Sequence, residues 1–510
     1  MSAVLSIQHK HAFLEQLCPL RNENQETSQM NAINTLSIAL FVSFAGIAIA
    51  APTHTSQGAN QGVNQGQLEK VHGCWGDEHG NLSGGTFFLP MDQDAQEIVD
   101  AVKLANRGSL DNRVDVVLVG DGYTAGEMGQ FHSDATSVIN DMFSYEPFTS
   151  YEPYFRISQI EVISNESGVD NDPQGVFRDT ELNMTYWCSG IERLLCVGVA
   201  KAYNAASAAP DIDQIIAIAN SNKYGGAGYS SNNLGTTAGQ NGAAAEIAIH
   251  ELGHSLGDLA DEYTYGGPTT YTGSELGPVD VSIYNRSEQI SLGTKWDYWM
   301  DASMTGFDNP ISTYEGGNYS QFGVHRPSNN SMMRSLGRKF NLVSAEQLLK
   351  EIYREVNPIE AGTADGTTVA SSDSLFITPM MPLNHDLSIL WYLDGQLILS
   401  AIQSQVLDLS TLAMDSGEHT VRVDVVDPTP WVRDEAMRSA FMSESRSYTV
   451  SACVLAADLT GDGDVDFFDI SAFLTAFNSQ QPVADFTGDG IFDFFDVSAF
   501  LSAFSSGACQ

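Results

Sequence analysis

The residues best suited to chemistry lie in one short motif, HELGHSLGDLADEY, at positions 250–263. His250 and His254 are four residues apart, so both imidazoles project from the same face if this segment is a helix. Two imidazole nitrogens on one face are a common ligand pair for Zn²⁺. Glu251 would lie beside such a metal rather than on it, where it can accept a proton from a metal-activated water. The motif therefore predicts a zinc site with Glu251 as general base.

A catalytic zinc also needs a third protein ligand and an open position for water. In zincin motifs that end in histidine, the third ligand comes six residues after the second histidine, and Ala260 stands there in this chain. We predict that the next residue, Asp261, is the third ligand, with Glu262 and the distant Glu315 as alternatives. A neighbouring carboxylate that does not bind the metal would orient a ligand or form an ordinary salt bridge.

Five further residues could serve the same site. Met332 and Met333 could form a methionine floor beneath the zinc, or they could simply fill gaps in the core. Tyr263, His325 and Arg326 could stabilise an oxyanion or bind a substrate carboxylate, and each has a structural role as its alternative.

The C-terminal region contains an internal repeat, because ADLTGDGDVDFFDISAFLTAF (457–477) recurs as ADFTGDGIFDFFDVSAFLSAF (484–504). Each copy has a twelve-residue loop with oxygen ligands at alternate positions around a glycine, Gly463 or Gly490, as a hard cation such as Ca²⁺ requires. The predicted calcium ligands are Asp458, Thr460, Asp462, Asp464 and Asp469 in the first loop and Asp485, Thr487, Asp489, Ile491 and Asp496 in the second, with Asp466 and Asp493 at position 9. Residues 453–510 contain nine Asp and no Glu, Lys or Arg, so we expect folding of this region to depend on the metal.

Composition limits the classes of function. The 510 residues include 23 Lys+Arg and 64 Asp+Glu, which gives a formal charge of −41. This charge argues against binding to nucleic acid, which needs a basic surface, and against docking to anionic lipid. A hydrophobic content of 43% is enough for several packed cores, and the length suggests about three domains.

The N-terminal region has the pattern of an export signal. Residues 36–50 are a run of 15 apolar or small residues, shorter than the about 20 that span a bilayer and suited to a secretory signal that ends in Ala-Ile-Ala. We predict that residues 1–50 are removed by cleavage after Ala50, with cleavage after Ala51 as the alternative and with Met1 or Met30 as the start. Residues 51–69 would then be a flexible linker. The mature protein would be secreted, without a transmembrane segment, and surface attachment is a further option.

Export permits disulfides. Cys188 and Cys196 are close enough in sequence to close a short loop. Cys453 and Cys509 bracket the last domain and could join its ends, which leaves Cys74 over.

The pattern of elements predicts an α/β or α+β domain with a mixed central sheet. We expect strands over 113–124, 155–163 and 213–219, helices over 127–143, 192–206 and 242–257, and a polar loop over 221–242. Short strands within 374–427 predict a small immunoglobulin-like β-sandwich. The predicted domains are 70–358 (metallopeptidase), 359–450 (sandwich) and 453–510 (calcium repeat).

Together with VDVVLVGDGYT, EPFTSY, SNESGVDN, SNKYGGAGY and HRPSNNSMMR, the zinc motif resembles the IgA-peptidase-like secreted zinc metallopeptidases over about residues 110–435. The resemblance implies a zincin-like catalytic domain followed by a β-sandwich, with His250 and His254 as ligands, Glu251 as catalytic base and an acidic third ligand within Asp-Glu-Tyr. The chain departs from the family at its front, where only about residues 70–97 could represent the usual N-terminal β-domain. The substrate therefore does not follow from the resemblance.

The C-terminal repeat resembles dockerin type I modules, with α-helical, EF-hand-like units and an Asp where the EF-hand has its last Glu. This resemblance implies a cohesin-like partner, and sorting or cell-surface attachment is the alternative role.

Two functions follow from these observations. The first is a secreted zinc endopeptidase that acts on a protein or peptide substrate. The alternative is a calcium-ordered, non-enzymatic binding or surface-assembly protein whose zinc site is degenerate or structural, with four protein ligands and no water.

Overall fold

The computed structural model describes residues 68–76, 82–90, 101–107, 112–453 and 455–507. The chain separates into two units after Gln67, and every described residue belongs to the second. The predicted signal peptide and most of the predicted linker lie outside the described residues. Within the described part, no helix is both long enough and apolar enough to cross a membrane.

An eight-stranded mixed sheet is the centre of the fold, with the strand order β2-β1-β7-β8-β6-β4-β5-β3. Its strands are β1 (Leu68–Gly76), β2 (Leu82–Pro90), β3 (Ala101–Arg107), β4 (Val114–Asp121), β5 (Phe155–Val162), β6 (Gln214–Ala219), β7 (Gly226–Tyr229) and β8 (Leu234–Ala238). The strands β5, β4, β6 and β8 run parallel, whereas β7 is antiparallel to both β8 and β1. Parallel strands are buried on both faces, which explains why every residue of β4 is buried.

Helices cover both faces of this sheet. They are α1 (Met128–Met142), α2 (Val199–Ala206), α3 (Ala244–Ser255) and α5 (Leu342–Glu355). The short helix α4 (Arg286–Leu292) lies between α3 and α5 in the chain. Alternate side chains of β4 enter opposite cores: Val116 and Leu118 pack with α1, α3 and α5, and Val117 packs with α2. The strands β9 (Tyr314–Gly317) and β10 (Ser320–Arg326) form a separate hairpin between α4 and α5.

A β-sandwich follows the mixed domain. Its two sheets have the orders β11-β13-β16 and β12-β18-β17-β14-β15. The elements are β11 (Ile359–Gly362), β12 (Thr368–Ala370), β13 (Ser374–Pro379), β14 (Ser388–Leu393), β15 (Gln396–Leu397), β16 (Val406–Asp408), β17 (Gly417–Val426), α6 (Glu435–Phe441) and β18 (Ser443–Ala452). Both sheets contribute to one apolar core around the fully buried Trp391.

The repeat region contains the last two helices, α7 (Phe467–Asn478) and α8 (Phe494–Ser506). Phe473 and Phe500, at equivalent positions of the two copies, stack with ring centroids 4.1 Å apart. Asp466 and Asp493 cap α7 and α8 by accepting backbone N–H bonds.

The structure corrects two predicted elements. The predicted loop over 221–242 contains β7 and β8, because their small residues form strands only where α3 packs against them. The predicted helix over 192–206 begins only at Val199, since Cys196 is held by a backbone pairing with Thr185.

The disulfide predicted between Cys188 and Cys196 is present. Cys453 is also disulfide-bonded, and its predicted partner Cys509 lies outside the described residues.

Candidate metal centre

Helix α3 carries the two motif histidines into the interior. Every residue of α3 except Glu246 is buried, and the alanines of its first turns allow it to lie close to the sheet. After the helix, Asp258 adopts a positive φ of 48° and the N–H of Leu259 bonds to the carbonyl of Gly253. This reversal brings the following residues, including Asp261, back to the histidines.

Three ligand atoms from these residues form a small triangle. His250 Nε2 lies 3.1 Å from Asp261 Oδ1, His254 Nε2 lies 3.3 Å from the same oxygen, and the two Nε2 atoms are 3.2 Å apart. Ligands at zinc's usual tetrahedral bond lengths are about 3.3 Å from one another. The donor atoms of His250, His254 and Asp261 therefore fit a zinc ion in both chemistry and spacing.

Backbone carbonyls orient both imidazoles. His250 Nδ1 lies 3.1 Å from the carbonyl oxygen of Met332, and His254 Nδ1 lies 2.7 Å from that of Leu259. Because a carbonyl oxygen can only accept, each Nδ1 carries the proton and donates it. Each Nε2 is thereby the nitrogen that faces the triangle, where a metal would take the place of its proton.

Asp261 is buried, and both of its carboxylate oxygens have polar contacts. While Oδ1 faces the imidazoles, Oδ2 accepts a 2.5 Å hydrogen bond from the hydroxyl of Tyr319. Burial alone would raise the pKa of Asp261, but the imidazoles of His254 and His250 lower it well below its usual range. In the same way, burial would lower the pKa of His254, whereas Asp261 raises it to about 9. The carboxylate is therefore charged, which is the state that binds a cation.

Glu251 lies in a space that glycines of the sheet leave open. A Cβ added at Gly228 of β7 would come 2.5 Å from Glu251 Oε2, and one added at Gly235 of β8 would come 3.2 Å from its Cβ. Glu251 is fully buried, on the same turn of α3 as the histidines. The glycine-rich strands thus leave room for the carboxylate of Glu251, whose charge contributes to the raised pKa of His254.

The structure places the two alternative third ligands elsewhere. Glu262 is buried, but its carboxylate accepts hydrogen bonds from Ser331 (2.8 Å) and Asn341 (2.7 Å), the residue that caps α5. Burial raises the pKa of Glu262 to about 8. Glu315 lies exposed on β9. Glu262 therefore connects the loop after α3 to α5, and neither residue is grouped with the histidines.

Met332 and Met333 lie beneath α3. Besides the Met332 carbonyl bound to His250, the Met333 sulfur packs so closely on Gly253 that an added Cβ would come within 2.6 Å of it. Both methionine side chains are fully buried in the main core. This pair therefore supports the helix and fills the core at the same time.

The three residues suggested for binding substrate differ in their surroundings. Tyr263 is buried, with its ring 6.4 Å from that of His250. Arg326 donates hydrogen bonds to the carbonyls of Glu315 (2.8 Å) and Gly316 (2.7 Å), and it thereby stabilises the hairpin β9–β10. Burial lowers the pKa of Arg326 to about 10. His325 pairs through its backbone with Ser282.

Sequence reasoning missed two residues of this centre, Tyr319 and His72. Tyr319 binds Asp261, and His72 of β1 places Nδ1 4.0 Å from Asp261 Oδ2 and stacks on His254 with ring centroids 4.6 Å apart. One nitrogen of His72, one of His254 and one oxygen of Asp261 lie within 4.8 Å of one another. Burial lowers the pKa of His72 to about 3, with a further contribution from His254, so this imidazole is neutral. Neither residue could be predicted from a sequence motif, because His72 and Tyr319 are far apart in the chain and come together only in the folded structure.

In the C-terminal repeat, Asp458, Asp462 and Asp469 of the first loop converge in a group that could hold a metal ion. The first carboxylate of each loop accepts the N–H of the loop glycine, from Gly463 to Asp458 and from Gly490 to Asp485, at 2.8 Å in both cases. The two loops therefore share one backbone turn around their acidic side chains.

Comparison with known proteins gives one informative match. Residues 102–310 match the family model for IgA Peptidase M64. The match covers about two fifths of the chain, including the ligand triangle and Glu251, and it supports a peptidase family. No curated protein matches the chain.

Nine chains of solved structures match. One is the Bacteroides ovatus mixed-linkage glucan utilization locus protein SGBP-B in complex with a mixed-linkage heptasaccharide, at 18% identity and a TM-score of 0.13. The match covers 20% of this chain and 24% of that chain, so this protein spans about a quarter of its length. A similarity this low supports no conclusion about fold or ligand.

Proposed function

We propose that this protein is an exported, zinc-dependent endopeptidase that hydrolyses peptide bonds of a protein or peptide substrate. The observation that carries the proposal is the triangle of His250 Nε2, His254 Nε2 and Asp261 Oδ1, with sides of 3.1 to 3.3 Å. It lies inside the segment that matches a peptidase family, and the match favours an enzyme over the non-enzymatic alternative.

Each side chain at this centre has a separate role in the proposed reaction. A zinc ion bound by the triangle would polarise the scissile carbonyl and lower the pKa of a water. Glu251 accepts the proton of the attacking water and then delivers it to the leaving amine nitrogen. The carbonyls of Met332 and Leu259 keep both imidazoles in the tautomer that offers Nε2, and Tyr319 holds Asp261 in place.

The decisive experiment is the Glu251→Gln substitution in the full chain. We expect hydrolysis of a peptide substrate to fall about 10²- to 10⁴-fold, because the amide cannot accept the proton, while zinc content stays near one per chain. Glu246→Gln is the matched control, since Glu246 is the one residue of α3 that is not buried. Full activity of Glu251→Gln would refute the mechanism.

We also propose that the two repeat loops bind calcium and that the region binds a cohesin-like partner. The convergence of Asp458, Asp462 and Asp469 supports the metal. Exposed aromatic pairs at equivalent positions of α7 and α8, Phe467 with Phe468 and Phe494 with Phe495, support a protein partner.

A further inference from the structure

The hairpin β1–β2 covers the sheet edge next to the proposed base. Strand β1 pairs with β7 so that His72 stands opposite Gly228. Gly228 is also the residue whose added Cβ would come 2.5 Å from Glu251 Oε2. The backbone of His72 therefore takes the pairing position on β7 that lies nearest to Glu251.

This is the position that an extended substrate would need. A peptide that binds as an added strand uses the free backbone groups of a sheet edge. One side of β7 is paired with β8, so its other side, where β1 lies, is the edge that could accept a peptide. A peptide bond paired there at Gly228 would be presented to Glu251, and β1 fills that place.

The side chain of His72 faces the metal centre. Its Nδ1 is 4.0 Å from Asp261 Oδ2, its ring stacks on His254, and the hydroxyls of Thr86 and Tyr319 lie 3.3 and 3.4 Å from the same nitrogen. The side chain is buried, and its position is held from both β2 and the loop before β10. A catalytic zinc keeps one position open for water, and a fourth protein nitrogen would close it.

The hairpin lies outside the segment that matches the peptidase family. The family match begins at residue 102, after both strands of the hairpin. Strand β1 pairs with β2 along its whole length and with β7 at His72, and Val71 of β1 is buried in a core with residues of β4 and β6. Because β1 and β2 are paired with each other, the hairpin would leave the edge of β7 as one unit, with the order β7-β8-β6-β4-β5 preserved.

We propose that the paired strands β1 and β2, residues 68–76 and 82–90, form an inhibitory segment that keeps the peptidase latent. In this state β1 fills the substrate strand position along β7, and the imidazole of His72 occupies the space beside His254 and Asp261 that the attacking water needs. Displacement of the hairpin would open both places at once. The inference rests on the proposed function, because it assumes a catalytic metal at His250, His254 and Asp261.

The test compares the full chain with its His72→Ala and His72→Gln variants, each loaded with Co²⁺ for spectroscopy or Zn²⁺ for activity. Acetohydroxamate, a small metal-binding probe, is titrated against the visible absorption of the Co²⁺ forms, and peptide hydrolysis is measured on the Zn²⁺ forms. We expect both variants to bind the probe at least tenfold more tightly than the unmodified chain and to hydrolyse peptide at least tenfold faster. Lys70→Ala, an exposed position on the same strand, is the control and should match the unmodified chain.

The outcomes separate the two proposals. Probe binding and hydrolysis equal to those of the unmodified chain in both variants would overturn latency. Loss of the metal on dialysis of both variants would also overturn it, since His72 would then be a permanent structural ligand. Tighter probe binding without hydrolysis in any form would support the closing role of His72 and refute the peptidase function.

Discussion

At the scale of single residues, Asp261 is the side chain on which the centre depends. Its Oδ1 faces both imidazoles, whereas the carboxylate of its neighbour Glu262 accepts hydrogen bonds from Ser331 and Asn341. Adjacent residues of the same charge thus have different environments, because successive side chains of the returning loop point in different directions.

The two carboxylates can be distinguished by substitution. Substitution of a residue that only supports a metal ligand typically weakens metal binding about 10- to 100-fold. We expect Asp261→Asn to weaken zinc binding by more than this, because it removes a charged ligand. Glu262→Gln should largely keep its zinc. Competition with a chromogenic chelator measures both affinities, and the reverse pattern would transfer the ligand role to Glu262.

Tyr319 should act on zinc through Asp261. Tyr319→Phe removes the hydroxyl that holds Asp261 Oδ2, and we expect zinc affinity to fall about 10- to 100-fold. Tyr314→Phe is the control, because that hydroxyl bonds the carbonyl of Pro310, away from the centre. Equal zinc affinity in the two variants would show that Tyr319 does not position the ligand.

At the scale of elements, the contact between α3 and the strands β7 and β8 positions Glu251, the proposed base. Glycines at 226, 228 and 235 let the helix approach so closely that Glu251 lies against the strand backbone. A close approach of this kind requires residues without a Cβ, which is why strands form from a sequence poor in large apolar residues.

This contact predicts a selective loss of activity. Gly228→Ala would place a Cβ 2.5 Å from Glu251 Oε2, so the carboxylate must move, and we expect kcat to fall about 10²-fold with zinc content unchanged. Gly242→Ala, where an added Cβ has no neighbour within 4 Å, is the control. Unchanged kcat in Gly228→Ala would show that the position of Glu251 is not critical.

At the scale of the whole molecule, the charge of the C-terminal region supports the proposed calcium sites. The region from 453 has nine Asp and no basic side chain, so without a cation these carboxylates repel one another. The mixed domain has its own large apolar cores and carries no such requirement.

Calcium removal should therefore act on one part of the chain. We expect EGTA to abolish hydrogen-exchange protection in α7 and α8, while the strands β4 to β8 keep theirs. Exchange measured by mass spectrometry on the full chain gives both regions at once. A variant with Asp458→Asn and Asp485→Asn should lose protection even with calcium present, and full protection in EGTA would contradict the calcium proposal.

The local sequence was sufficient to predict features that lie within a single strand, helix or loop. The strands at 114–121, 155–162 and 214–219 and the helices at 128–142 and 244–255 lie within three residues of the predicted bounds. Helical periodicity alone puts His250 and His254 on one face, and the repeat alone places acidic side chains around a glycine turn. These patterns are local, so they can be read along the chain.

The tertiary structure alone decided what meets at the centre. His72 and Tyr319 are 247 residues apart, and the choice between Asp261 and Glu262 depends on how the loop after α3 turns back. The strands β7 and β8 form where α3 packs against their glycines. Their sequence has no alternating hydrophobic pattern from which a strand could be predicted. Contacts between distant segments arise from packing, and packing has no periodic signature in the sequence.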